Sequence, residues 1–260
     1  MGGPIAMITG PVTATTIMPT NTLMTEAVTL PALYRLLAFL SPSFPVGAFT
    51  YSHGLEQAIE DGTVKTAEDL SRWLEDILRH GAGRSDAILL KASYDATTRG
   101  DEGSVAELQE LALALQPSKE RHLETSAQGT AFLAAVRQSW RPDSSSPAAD
   151  LFRRRAEDTG QGWPYPVALG LVAAAHEIPE DAALVAYLHA FAGNIVSAAI
   201  RAVPLGQSNG QTVLASLEPI IFEVAAVAKQ ASLEDIGSST FLADIASMAH
   251  ETQYSRLFRS

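Results

Sequence analysis

The stretch KTAEDLSRWLEDILRHGAG, residues 65–83, limits the fold more than any other part of the chain. Leu70, Trp73, Leu74, Ile77 and Leu78 recur at the i, i+3, i+4, i+7, i+8 spacing of one helical face. Thr66 stands where a helix wants a side-chain cap, and Glu68 and Asp69 fall in the first turn. Arg79 and His80 fall in the last, with Gly81 as the stop. No segment of the chain shows the sustained two-residue alternation of a half-buried strand. The pattern predicts an all-α fold.

Further helices are expected at about 31–40, 53–61, 85–98, 103–115, 118–139, 148–157 and 166–176. The Ser- and Pro-rich RPDSSSPAAD at 141–150 reads as a surface loop, because helical pattern resumes on both sides. The reading is a single-domain helical bundle of about ten helices over 31–260. With 47% hydrophobic residues in 260, such a chain can bury a core without covalent staples.

From Ala182 to Val203 the plainly polar side chains are His189, Asn194, Ser197 and Arg201. That run is long enough to cross a bilayer, which takes about 20 residues. Polar groups are costly in lipid, however, and a narrow polar stripe on an apolar helix suits the centre of a soluble bundle. The following helix is expected to open at Ser208 with Gln211 completing a capping box. Leu214, Leu217, Ile221, Val224, Ala228 and Ala231 then form a packing seam, and Pro219 inside it predicts a kink or break.

Composition removes several functions. The chain has no cysteine, which excludes disulfides, thiolate metal sites and cysteine nucleophiles. A net charge of −11 argues against broad electrostatic binding to nucleic acid or anionic membrane and leaves room for a basic protein partner. Residues 1–30 contain no Lys or Arg, so they do not read as a secretory signal, and Ala6 breaks the myristoylation pattern. Their Thr, Pro and Gly content suggests a mobile tail.

The candidate chemistry centres on SPSFPVGAFTYSHGLE, residues 41–56. TYSHG at 50–54 departs from the hydrolase elbow G-x-S-x-G at Thr50. That elbow requires a preceding strand, and Pro45 and Gly47 break any strand here. A serine hydrolase using Ser52 is therefore the weaker alternative to Ser52 capping a helix that begins near His53. His53 and Glu56 at i, i+3 supply two of the four ligands that a closed metal site wants. No two histidines sit at i, i+4, and HETQY at 250–254 has Tyr254 where H-E-x-x-H needs its second ligand. EDGTVKT has Val64 in place of the P-loop glycine, so any nucleotide chemistry belongs to a partner. The final residues are basic and aromatic, with Tyr254, Arg256, Leu257, Phe258 and Arg259 clustered; Tyr and Arg are enriched at binding hot spots.

Three blocks together resemble the UreF family of urease accessory proteins. They are SPSFPVGAFTYSHGLE, then YPVALG (165–170) extended through VSAAIRAVPLGQSNGQ (196–211), then HETQYSRLFRS (250–260). Thr50 and Ala249 depart from it, standing where the family often has serine and a basic residue. The resemblance implies an all-α, non-catalytic cytoplasmic homodimer with no intrinsic cofactor. It also implies binding to UreD (also called UreH), recruitment of the GTPase UreG, and help in delivering nickel to apo-urease. By position it implies partner contacts at Tyr51, Ser52, His53 and Glu56, at Arg201, and at Tyr254, Arg256, Leu257, Phe258 and Arg259. Gln207 lies in the central block beside Arg201, as scaffold or interface.

Overall fold

The computed structural model describes residues 27–157, 160, 162–203 and 205–260. The expected tail over 1–30 thus lies outside the described residues except for its last four positions. Thr29 already acts as a cap, its hydroxyl accepting from the Ala32 amide, so the first helix begins at Leu30.

Side-chain caps set five of the helix starts among the described residues, that of Thr29 included. Thr66 and Asp69 form a reciprocal capping box, and Asp101, Ser118 and Ser146 accept from amides three residues on. Among the described residues the helices are α1 (Leu30–Phe39), α2 (Leu55–Glu60), α3 (Ala67–His80), α4 (Ala82–Thr98), α5 (Glu102–Ala114) and α6 (Lys119–Ser139). They continue as α7 (Pro147–Arg155), α8 (Tyr165–Ala175), α9 (Glu180–Ala202), α10 (Gln207–Gln230) and α11 (Phe241–His250). No strand occurs among these residues, as the periodicity predicts. The expected face of α3, Leu70 to Leu78, is buried at every named position.

The centre of the bundle is α8, all eleven residues of which are buried. It packs most extensively on α4 and is enclosed further by α5, α6, α7 and α9. Gly170 allows this: a Cβ there would meet the Leu90 carbonyl oxygen at 2.4 Å. The Ser93 hydroxyl, on α4, donates to the Val167 carbonyl at 2.8 Å and ties the two helices together. A second layer of α3, α9 and α10 packs against α4, with Leu217, Ile221, Val224 and Ala228 buried on the α10 seam. At one end, Phe39 of α1 meets Phe132, Trp140 and Phe44 edge-on.

Three expectations need correction. First, the centre is α8 and not α9, whose stripe residues His189, Ser197 and Arg201 are exposed. The helices α9 and α10 are long and apolar enough to cross a bilayer, but the buried face of α9 is spent on α10, α4 and α2. Second, α10 runs through Pro219 without a break. Pro219 and Ala215, whose carbonyl loses its helical donor, are both exposed, so water can serve that carbonyl while the seam holds the helix on either side. Third, α10 begins one position before Ser208: Gly206 supplies the extended cap geometry, with no side-chain cap.

Candidate partner-docking site

The loop that joins α1 to α2 turns through two glycines with positive φ, Gly47 (74°) and Gly54 (75°). A Cβ on Gly54 would lie 2.8 Å from the Ser247 amide nitrogen, so glycine also lets α2 approach α11. His53 just before it is left-handed too, at φ 64°, a conformation costing about 1 kcal/mol or more for a residue with a Cβ.

What holds His53 there is a buried polar cluster. Arg121 on α6 donates to both His53 Nδ1 and Glu124. Glu124 Oε1 approaches the same nitrogen at 3.3 Å, while Nε2 of the ring is buried with no hydrogen-bond partner among the described residues. Burial, reinforced by the Arg121 charge, brings the His53 pKa down to about 4. Burial is the largest influence on Glu124 and works against its charge, but Arg121, His53 and the Ser260 hydroxyl together outweigh it and keep that carboxyl well below the usual range. Asp86 on α4, hydrogen-bonded by the Tyr187 hydroxyl at 2.7 Å, is pushed up to about 6 by burial. Two small cavities of about 110 and 30 Å³ share His53, Asp86 and Arg121 in their walls.

Residues 256–260 lie on this loop. The Arg259 amide donates to the Thr50 carbonyl at 2.8 Å, and the Ser52 amide donates to the Ser260 carbonyl at 2.7 Å. The Ser52 hydroxyl donates to the same carbonyl and also accepts from the Glu56 amide at 3.3 Å. The expected cap is thus present in part: Ser52 serves the first turn of α2, although the helix starts at Leu55 after Gly54. The Glu56 carboxylate accepts from the Leu257 and Phe258 amides at 2.7 and 3.0 Å. His250 lies between Glu56 (3.1 Å from Nε2) and Glu120 (2.6 Å from Nδ1), and Arg256 donates to the other oxygen of Glu120 at 2.6 Å. Phe258 is 5% exposed, with the Arg201 guanidinium 4.5 Å above its ring.

The three sequence blocks therefore meet in space: Thr50 to Glu56, Arg201, and His250 to Ser260. They divide by exposure. Tyr51, Ser52, His53, Glu56 and Phe258 are buried, so they do not present side chains to a partner in this structure. Tyr254 is 104% and Leu257 73% exposed, and Arg201, Arg256 and Arg259 are also exposed. The metal pair is not brought together, because His53 faces Arg121 and Glu124 while Glu56 is occupied by His250 and two amides. Among the described residues no cluster of three His, Asp or Glu is placed to hold a metal ion. Nor is Ser52 set up as a nucleophile: its hydroxyl is taken by a backbone carbonyl, and neither His53 nor His250 turns a ring nitrogen to it.

Sequence reasoning missed Arg121, Glu124, Glu120 and Asp86. KERHLE at 119–124 looks like a solvated charge run, and only the Arg121–Glu124 i, i+3 pair hinted at a shared face. It also missed α11 as a defined helix. Phe241, Leu242, Ile245 and Met248 form an exposed apolar row there, leading directly into the 250–260 segment.

The sequence model of the UreF family matches residues 64–218. A Urease accessory protein UreF of Rhodopseudomonas palustris (strain BisA53) is 50% identical over 229 residues, covering 88% of this chain and 93% of the relative. One from Bradyrhizobium sp. (strain BTAi1) is 50% identical over 230 residues, 88% of this chain and 92% of the relative. A Urease accessory protein UreF 1 of Brucella canis is 48% identical over 229 residues, 88% and 94% of the two chains. The chain therefore belongs to the UreF family of urease accessory proteins, a family of non-catalytic accessory proteins and not of enzymes.

Proposed function

We propose that the chain is a scaffold for nickel insertion into apo-urease, acting in the cytoplasm as a homodimer that binds UreD (UreH) and recruits the GTPase UreG. One observation carries this reading. Polar groups of the loop and α2 fix the 257–260 backbone and leave Leu257 and Arg259 exposed, beside exposed Tyr254 and Arg256 and next in sequence to the apolar row of α11. Aromatic and apolar anchors beside cations, held rigid before binding, lower the entropy lost on association. The nucleotide chemistry falls to UreG, and nickel is the cargo of the assembly, not a resident cofactor of this chain.

Deleting residues 250–260 would not isolate the docking surface, since it removes buried partners of Ser52, Glu56 and Glu120 and one of the partners of Glu124. Substitutions at exposed positions do isolate it. Co-expression with UreD and UreG, followed by size exclusion and mass analysis, should give one complex containing all three proteins. Tyr254→Ala with Leu257→Asp should remove UreD from it while the free chain unfolds at an unchanged temperature. A complete complex with the double variant would reject the segment as the docking surface. Absence of any complex with the unaltered chain would reject the scaffold role.

A further inference from the structure

We infer that the loop and α2 form a peptide-binding slot, filled by residues 257–260 of the same chain and able to take that segment from a second copy. The inference rests on the slot's geometry and does not depend on which protein the outer face binds.

The slot reads backbone. Over four consecutive residues it offers an acceptor or donor at each: Glu56 to the Leu257 and Phe258 amides, Thr50 to the Arg259 amide, and Ser52 to the Ser260 carbonyl. The Ser260 hydroxyl adds a bond to Glu124 at 2.8 Å. One side chain, Phe258, enters a pocket capped by Arg201. Main-chain hydrogen bonds for affinity with a pocket for one side chain is the way extended peptides are recognised between molecules. The receptor is built independently of its occupant. His53 is locked by Arg121, Gly54 by α11, and Glu56 is oriented by His250 from outside the occupying segment.

The connection to the slot is slight. Tyr254 and Ser255 are exposed, and among the described residues the side chains from Thr252 to Arg256 hydrogen-bond to other parts of the chain only through Gln253 to Glu60 and Arg256 to Glu120. A segment on a short exposed tether can leave its own slot and enter an identical one, the usual route to exchange between protomers. The sequence seen to fit the slot is this one, which makes a second copy the occupant we commit to.

The test uses full-length chains. In a Phe258→Ala chain the slot stays whole but its own segment is weakened. In an Arg259→Pro chain the bond to Thr50 is removed without touching a buried side chain, which covers the case that the first variant does not fold. A fluorescein-labelled YSRLFRS peptide should bind either variant at least about tenfold more tightly than the unaltered chain, read by anisotropy. The peptide with alanine for phenylalanine should not bind. Equal binding of the two peptides, or no binding to either variant, overturns the slot. Then a Glu56→Gln chain, with an intact segment and a poor slot, is mixed with the Phe258→Ala chain. Hydrogen exchange at the Ser52 amide of the Phe258→Ala chain, mass-labelled to tell it apart, should slow on mixing. Unchanged exchange in a chain that binds the peptide overturns the second copy as occupant.

Discussion

Asp86→Asn should stabilise the protein at neutral pH, although Asp86 is a buried, hydrogen-bonded carboxylate. Burial lifts its pKa from 3.8 to about 6, against the opposing pull of Arg121 and the Tyr187 hydroxyl. The folded state then holds a proton that the unfolded state has released between those two values. A group with a raised folded pKa contributes stability that is complete below the unfolded value and lost as pH rises through the folded one. Above pH 6 the ionised side chain therefore costs about 3 kcal/mol, from roughly two pKa units at 1.36 kcal/mol each. An asparagine keeps an oxygen for the Tyr187 hydroxyl and carries no charge. Urea unfolding at pH 7.5 should show the variant more stable by about 2–3 kcal/mol, which is about 5–10 °C in Tm for a chain of this size. At pH 4.2, beyond the isoelectric point of about 4.9, the advantage should shrink below about 1 kcal/mol. A variant less stable than the parent at pH 7.5, or an advantage of the same size at both pH values, would refute the argument.

The histidines give the opposite slope. His53 and His176 are both held near 4 by burial, so the unfolded chain binds protons that the folded chain does not between pH 6.5 and 4. Stability should fall as pH drops through that window, by on the order of 3 kcal/mol from His53, and His53→Gln should flatten the curve in urea titrations. Gly54→Ala should lower stability by at least about 2 kcal/mol, since it adds a left-handed alanine and a contact against the Ser247 backbone; a thermal melt checks it. Glu56→Gln should leave helix content by circular dichroism unchanged and speed hydrogen exchange at Leu257 and Phe258, because a neutral amide is a weaker acceptor for their N–H groups.

Most helices, α11 excepted, were legible because each depends on its own neighbours in sequence. Thr66 and Asp69 cap α3 from three residues away, and Leu70 to Leu78 show their common face in their spacing. The site was legible only as three separate blocks. Glu56 and Phe258 are 202 positions apart, and nothing in either block says that the carboxylate of one will hold the amide of the other. The sequence also invites the wrong assignment of exposure. Ser52, His53 and Glu56 look like groups to be offered to a ligand, because polar residues are usually outside. They are inside because the turn at Gly47 and the left-handed pair His53–Gly54 fold them under the 256–260 segment, where each finds a hydrogen-bond partner. Burying them with partners costs little, whereas burying them alone would cost several kcal/mol. Their polarity therefore makes the outer segment dependent on the loop. The residues that resemble an active site work one step behind the surface, fixing the backbone from which Leu257 and Arg259 project.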